Sequence, residues 1–355
     1  MLSSVKSSNS LSSLGLMHLD DGAINEDFQT LGTFIIDSSV GEEDSCDLGI
    51  LIQAIATSCK YVANCVRKCG LADLAGKVGQ VNVQGEEQMT LDVIAHEVFV
   101  RVLDQSQRCT VLVSEEQPHT IHCKASRKGQ YVCVFDPLDG SSNIACGVSI
   151  GSIFGIYKAS EKGVAKDSDT LQPGKDMVAA GYCMYGSSCM LVLSIGGAVH
   201  GFTLDSSLGE FVLTHPTITV PRKGSIYSVN EGNSQWWDQG MARYVAHVKA
   251  KEVPHSLRYI GSMVADVHRT LLYGGTFSYP ADRKSPHGKL RLLYECFPMA
   301  YIMEKAHGRA STGSRRILDI RPESIHQRMP IHMGSVEDVE EIEAFMAEFN
   351  QVPDV

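Results

Sequence analysis

Tyr131-Val-Cys-Val-Phe-Asp-Pro-Leu-Asp-Gly-Ser-Ser-Asn143 runs from an apolar strand straight into a cluster of acids. Residues 131–135 are β-branched or aromatic, apart from Cys133, and predict a short strand. Asp136 and Asp139 follow directly, with Gly140 behind them. A lone Asp-Gly would signal only a turn. A second apolar strand, 110–113, ends the same way, in Ser114-Glu115-Glu116. If the two strands are neighbours in one sheet, four carboxylates meet at one edge. Such groups repel, so some must be protonated or neutralised by cations. Hard divalent cations with oxygen ligands are the economical answer, against the alternative of coincidental turn residues. Gly140-Ser141-Ser142-Asn143 is read as the opening of a helix. Glycine lets a ligand approach the backbone, and free N–H groups at a helix start attract phosphate. The bland alternative is a capped helix after a turn. Carboxylates for metal and amides for phosphate within eight residues suit hydrolysis of a phosphate ester. There metal ions polarise the phosphoryl oxygens and stabilise the leaving alkoxide.

Outward from this stretch the pattern is mixed. Residues 1–26 read as a polar, Ser-rich arm. Leu48, Leu51, Ile52, Ile55, Cys59, Val62 and Val66 recur at helical spacing and predict a helix over 47–68. Four glycines over 70–90 predict a long loop. Leu91, Ile94, Ala95, Val98 and Val102 share one face of a second helix over 90–104. Further strands are expected at 149–157, 178–182, 189–194, 198–204 and 226–229. Helices are expected near 235–249, 262–273 and 298–306. A last helix begins near Val336, where Ser335 is placed to cap it. Strands alternating with helices over this length indicate an α/β architecture of stacked layers.

Composition bounds the function. The 355 residues are 43% hydrophobic and 20% charged, a globular balance with room for two packed domains. A formal net charge of −10 argues against a nucleic-acid partner, which needs a basic surface. No uninterrupted apolar run reaches the length of a membrane span. The eleven cysteines are odd in number and lack Cys-x-x-Cys spacing, so they read as free thiols in a reducing compartment. His119 and His122 beside Cys123 lack two further ligands for zinc and read as surface residues. The N-terminus lacks the apolar core of a secretory signal, and a cytoplasmic enzyme is the default reading.

A second constellation lies further on. Arg283, Lys284, Lys289 and Arg291 place four cations within nine residues, with Tyr279 before and Glu295 after. A basic run is usually a solvated face. Its concentration in an acidic chain also fits a second phosphate or sugar site. Gly308-Arg-Ala-Ser-Thr-Gly313-Ser314 has P-loop glycine spacing without the lysine, and no Gly-x-Gly-x-x-Gly occurs, which argues against nucleotide enzymes.

Asp136-Pro-Leu-Asp-Gly-Ser-Ser-Asn143 resembles the signature of the lithium-sensitive, metal-dependent sugar and inositol phosphatases. Tyr259-Ile-Gly-Ser-Met-Val-Ala-Asp-Val-His-Arg269, Lys284-Ser-Pro and Lys289-Leu-Arg-Leu-Leu-Tyr-Glu295 narrow the resemblance to the fructose-1,6-bisphosphatase family, from about residue 27 to 350. It implies a layered α/β/α/β/α sandwich of two intimately packed domains, 27–217 and 218–355, behind the 1–26 arm. It implies hydrolysis of the 1-phosphate of fructose 1,6-bisphosphate in gluconeogenesis. Glu115, Asp136, Asp139, Glu295 and the Leu138 carbonyl would hold two or three Mg2+ ions per subunit, with Mn2+ as a substitute. Asp92 and Glu116 would orient and deprotonate the attacking water. Ser141, Ser142 and Arg291 would surround the 1-phosphate. Asn230, Tyr259, Tyr279 and Lys289 would hold the sugar and its 6-phosphate, and Arg258 would reach that phosphate in a neighbouring subunit of a homotetramer. The 70–90 segment would close over the site.

Three departures stand out. Ala145 replaces a common acid two residues after Asn143. Asn233 replaces a tyrosine that some members use near the 6-phosphate. The positions matching the AMP site of animal members read Ser45, Asp47, Gly49 and Gln130-Tyr131. The missing lysine and threonine predict weak or absent AMP inhibition. Sedoheptulose-1,7-bisphosphatase is the nearest competing reading. An inositol monophosphatase has no need of the Tyr279–Arg291 site. A sugar-phosphate-binding regulator without catalysis is favoured only by Ala145.

Overall fold

Two short parallel strands with acid-rich ends set the layout of this chain. A computed structural model describes residues 28–38, 43–69, 77–81, 87–124 and 129–350. The 1–26 arm lies outside them, as do 70–76 and 82–86 of the glycine-rich segment. The described parts of that segment pair as two short antiparallel strands, β1 (Lys77–Val81) and β2 (Glu87–Met89). Before them come α1 (Leu31–Ser38) and α2 (Glu43–Lys68). After them α3 (Thr90–Ser106) leads into β3 (Cys109–Ser114), β4 (Ile121–His122) and β5 (Tyr131–Asp139). An antiparallel meander follows: β6 (Ile150–Lys158), β7 (Met177–Tyr185), β8 (Cys189–Ser194), β9 (Val199–Asp205) and β10 (Glu210–Ile218). Together they make an eight-stranded sheet in the order β10-β9-β8-β7-β6-β5-β3-β4. Its one parallel pair is β3 with β5, in register at Ser114 and Phe135. The two acid-bearing ends therefore lie side by side, as the sequence required.

Both faces of this sheet are covered, and strand alternation shows how. Val132 and Val134 belong to one apolar core, whereas Cys133 and Phe135 belong to another. The second core takes the inward faces of α2 and α3, including Leu51, Ile52, Ile55, Leu91 and Phe99. In α2 the stretch Cys46–Lys68 is long and apolar enough to cross a membrane, although polar residues interrupt its apolar stripe. Half of that window is buried within the fold, and here it is a core helix.

The other face packs on a second layer of helices. The chain continues through β11 (Ile226–Ser228), α4 (Gln239–Ala250), β12 (Ser256–Leu257), α5 (Met263–Tyr273) and β13 (Thr276–Tyr279). Then come β14 (Leu290–Arg291), α6 (Phe297–Lys305), β15 (Arg309–Ser311), β16 (Arg328–Met329), β17 (Ile331–Gly334) and α7 (Val336–Phe349). Val264 and Val267 of α5 and Phe297 and Ile302 of α6 share a core with Val132 and Tyr182 of the first sheet. The same core reaches Phe277, Ile331 and Met333 of a five-stranded sheet, β12-β11-β13-β17-β15. Met241, Tyr244 and Val248 of α4 and Ile342 and Met346 of α7 cover its far side. The order is helices, sheet, helices, sheet, helices: the expected α/β/α/β/α sandwich.

Some local expectations differ. Ser335 does not cap α7. Its hydroxyl donates to the Pro221 carbonyl at 2.6 Å and accepts from the Gly275 amide at 2.9 Å, so it staples two loops instead. Strand β5 does not stop at Phe135 but continues through Asp139. Asp136 and Asp139 are thus held by sheet rather than by a free turn, while Glu115 stands in the turn just after β3, its amide donating to the Phe135 carbonyl at 3.2 Å.

Two histidines in this interior are neutral for a physical reason. Burial lowers His332 to about 4, with Nδ1 on the Ser278 hydroxyl at 3.0 Å. Burial, with the nearby His215, lowers His268 to about 4, with Nδ1 on the Tyr182 hydroxyl at 2.8 Å. The unfolded chain binds these protons near pH 6.5, the folded chain only near 4. Stability is therefore complete above pH 6.5 and falls as pH drops towards 4, by about 1.4 kcal/mol per pH unit for each histidine. Urea midpoints of chelator-treated protein at pH 7.5 and about 5 test this; His332→Gln should show a shallower fall than the parent.

Candidate active site

A β-bulge aims the acids. Against β6, Asp136 pairs with Ile153 and Asp139 with Gly151, so β5 fits three steps where β6 has two. In a regular strand, residues three apart face opposite sides. The extra residue restores Asp136 and Asp139 to one side. Pro137 lies within the bulge, where its missing N–H leaves no ladder bond unmade. Its carbonyl accepts the Ser152 hydroxyl at 2.7 Å. Gly140 ends the strand with φ +78°, a left-handed turn that favours glycine. The helix opened behind it is a six-residue 3-10 helix, Ser141–Cys146.

The second layer supplies the rest. A π-helical turn, Leu292–Cys296, feeds α6 and carries Glu295. Carboxylate atoms of Asp136, Asp139 and Glu295 can all lie within 4.8 Å of one another. Asp92, Glu115, Asp136, Asp139 and Glu295 are all buried. One buried guanidinium faces them: Arg291 Nη2 is 2.8 Å from Glu115 and Nη1 is 3.8 Å from Glu295. Five carboxylates against one cation leave the cluster strongly anionic if ionised. Burial first, then repulsion from Glu115, Asp139 and Glu295, pushes Asp136 well above the carboxylate range. Burial and Glu295 push Asp139 up to about 7, against the opposing Val264 amide and Arg291. Only oxygens are offered, and all are hard donors. The residues present fit divalent cations of the magnesium or manganese kind.

The acids open on a cavity of about 730 Å³. Asp92, Glu115, Glu116, Asp136, Leu138, Asp139 and Glu295 line it, with Ser141, Ser142, Tyr259, Tyr279, Lys289 and Arg291. Two expected contacts do not. Asn230 faces a small neighbouring recess that shares Tyr279, and its Oδ1 accepts the Gly232 amide at 3.0 Å. Arg258 is exposed outside the cavity. The basic run also divides: Lys289 and Arg291 line the cavity, whereas Lys284 stacks on Trp236 outside it. His119 and His122 are exposed, and His122 pairs with Asp167. In the effector-type region the side chain of Ser45 lies outside the described residues. Asp47 is engaged by Arg108 at 2.7 Å and by Gln130 at 3.2 Å.

Sequence reasoning gave no role to Asp266, although it stands in the quoted 259–269 stretch. It is buried on the cavity wall. Its carboxylate accepts the amides of Ile260 and Gly261, the Ser228 hydroxyl and Arg269 Nη2, all within 3.0 Å. Arg269 also donates to the Arg258 carbonyl. This network fixes the loop that presents Tyr259. An aspartate three residues into a helix gives no sequence signal for reaching back to the preceding loop.

A nest of buried oxygen ligands at the edge of an α/β sheet, facing a cleft with lysine and tyrosines, defines a phosphoric monoester hydrolase. Comparison with known proteins specifies which. Residues 29–216 match the description "Fructose-1-6-bisphosphatase, N-terminal domain", and 220–347 match "Fructose-1-6-bisphosphatase, C-terminal domain". A cytosolic fructose-1,6-bisphosphatase of Arabidopsis thaliana is 57% identical over 91% of this chain and 96% of its own length. One of a Saccharum hybrid is 58% identical over 91% and 95%. The solved structure of Leishmania major fructose-1,6-bisphosphatase in holo form superposes with a TM-score of 0.85 at 44% identity, over 90% of this chain and 99% of that one. The chain belongs to the fructose-1,6-bisphosphatase family, whose members depend on divalent metal.

The electrostatics make a stability prediction. Without metal, Asp136→Asn should remove repulsion and raise the thermal midpoint, by about 1–2 kcal/mol in stability. Adding Mg2+ should then raise the midpoint of the parent by mass action and leave the variant nearly unchanged. Paired melting curves with chelator and with excess Mg2+ decide the matter. A variant that melts lower than the parent in chelator would contradict the repulsion argument.

Proposed function

We propose that this protein hydrolyses the 1-phosphate of fructose 1,6-bisphosphate, giving fructose 6-phosphate and phosphate, in cytoplasmic gluconeogenesis. One observation carries the reading: the acid cluster of Asp136, Asp139 and Glu295 shares one cavity with Tyr259, Tyr279 and Lys289. The acid end suits a reacting phosphate with metal, and the other end suits a remote sugar phosphate. Binding energy from the unreactive phosphate then positions the reactive one.

The carboxylates of Glu115, Asp136, Asp139 and Glu295, with the Leu138 carbonyl, would hold two or three Mg2+ ions, with Mn2+ as a substitute. When bound, such ions polarise the phosphoryl group and stabilise the departing oxygen. The remaining steps belong to side chains. Asp92 closes the first turn of α3 on itself, its Oδ2 accepting the Met89 amide at 2.8 Å. This fixes one oxygen and leaves the carboxylate at the cavity wall to orient water. Glu116 is less buried than Glu115 and also lines the cavity, so it is the base for the attacking water. Ser141 and Ser142 offer hydroxyls to the 1-phosphate. Arg291 balances Glu115 and Glu295 and adds positive charge beside that phosphate. Lys289, Tyr259 and Tyr279 hold the 6-phosphate end, with Asn230 beyond Tyr279. Burial raises Tyr259 to about 12, so its hydroxyl stays neutral and can donate to phosphate. Arg258, exposed on its loop, would serve the same phosphate of a neighbour in a homotetramer.

Phosphate release from fructose 1,6-bisphosphate should require a divalent cation. Release mainly from sedoheptulose 1,7-bisphosphate would keep the chemistry and change the substrate. Glu116→Gln should lower kcat by about 100-fold or more with KM little moved. Lys289→Ala should raise KM roughly tenfold or more and affect kcat less. Equal losses in both constants for Lys289→Ala would refute its place at the remote phosphate. In the same assay AMP should inhibit weakly or not at all, because Gln130 stands where animal members carry lysine and Asp47 is already bound to Arg108.

A further inference from the structure

We propose that His326 is a positioning residue for the metal centre, clamping the segment that carries Glu115 to the segment that carries Glu295. The inference rests on the reading of those two glutamates as metal ligands. The ring lies between chain segments that are remote in sequence. His326 Nε2 is 2.9 Å from the carbonyl oxygen of Gln117, two residues after Glu115 and 209 residues away from the histidine. Its Nδ1 is 2.8 Å from the hydroxyl of Tyr294, the residue before Glu295.

The partners dictate the tautomer. A carbonyl oxygen only accepts, so Nε2 carries the hydrogen and donates to Gln117. Nδ1 is then a bare lone pair, and Tyr294 donates to it. A neutral imidazole donates on one edge and accepts on the other in a fixed plane. Burial lowers its pKa and so favours that neutral form. Tyr294 is fully buried and meets the ring edge-on, with centroids 5.8 Å apart at 73°. Its packing against the ring fixes the direction in which its hydroxyl meets Nδ1.

The neighbouring residues extend the clamp. The Leu292 amide donates to the Gln327 carbonyl at 2.7 Å, at the start of the π-helical turn that holds Glu295. Arg328 and Met329 of β16 pair with Arg291 and Leu290 of β14. Residues 326–329 therefore strap together the end of β3, the strand bearing Arg291 and the turn bearing Glu295. Arg291 already links the two glutamate side chains by charge. His326 links the segments that carry them, through the Gln117 carbonyl on one side and the Tyr294 hydroxyl on the other. Groups that orient metal ligands from behind typically change metal affinity or activity about 10–100-fold when removed. A ring that merely filled space would affect stability alone.

The test uses the full chain freed of metal by chelation. Mn2+ is titrated in and the free ion is followed by electron paramagnetic resonance, so no turnover is needed. Thermal midpoints in chelator check folding. His326→Ala should weaken Mn2+ binding about tenfold or more. His326→Gln can place an amide nitrogen near the Nε2 position and should recover most of that loss. Tyr294→Phe, which removes one hydroxyl, should give an intermediate loss and stands in if His326→Ala does not fold. A lower melting midpoint with unchanged Mn2+ affinity in Tyr294→Phe and in folded His326→Ala would overturn the clamp. If the parent chain binds no Mn2+, or Glu295→Gln binds it as well as the parent, the metal-centre reading falls and the clamp with it.

Discussion

Mutual repulsion among buried carboxylates is the constraint around which this structure is organised. Asp92, Glu115, Asp136, Asp139 and Glu295 are out of water and close together, with Arg291 the one buried cation among the described residues. No isolated helix or hairpin could hold such groups against their repulsion. Here each comes from an element anchored elsewhere in apolar packing. Glu115 follows β3, Asp136 and Asp139 sit in β5, Asp92 opens α3, and Glu295 rides on the turn before α6. The strain is borne by the two large cores that flank the first sheet.

That arrangement explains features that look like irregularities. The bulge at Pro137 corrects the facing of two aspartates that regular pleating would separate. The π-helical turn sits where Glu295 must point back towards β5, a common use of such a local widening. Gly151, opposite Asp139, has no room for a side chain: a Cβ would lie 2.7 Å from Val264. Close approach there lets the Val264 amide reach the Asp139 carboxylate at 3.2 Å. Each departure from regular structure brings a donor or an acid to the same place.

Much of this was legible in the residues, and unevenly so. The acids directly behind two apolar runs were enough to expect convergence once those runs are neighbours, because parallel neighbours bring their ends together. Helices α2, α3 and α7 were legible because their apolar stripes are long. Strands β13, β15 and β17 were not, being three or four residues each and buried on both faces, without alternation. Glu295 was placed by resemblance rather than by spacing, since nothing local shows that a residue 156 positions after Asp139 faces it. Asp266 and His326 escaped notice because they bind backbone groups and side chains of other segments, pairings that carry no sequence signature.

Charge sets the order in which such a site can work. The chain carries a formal charge of −10, and the cavity wall concentrates acids, with Asp92, Glu115, Glu116, Asp136, Asp139 and Glu295 on it. A bisphosphate approaching it without metal would meet like charge, relieved among the described lining residues by Lys289 and Arg291. At an effective dielectric constant near 20, one unit pair at 4 Å is worth about 4 kcal/mol, so several uncompensated carboxylates outweigh a lone lysine. Neutralising the acids would change the sign of that balance. On the proposed reading, affinity for substrate would be conditional on metal, and the acids that reject the substrate when bare would hold its anchor when filled. An acidic protein can in this way bind a polyanion tightly at one point while the rest of its surface repels anions.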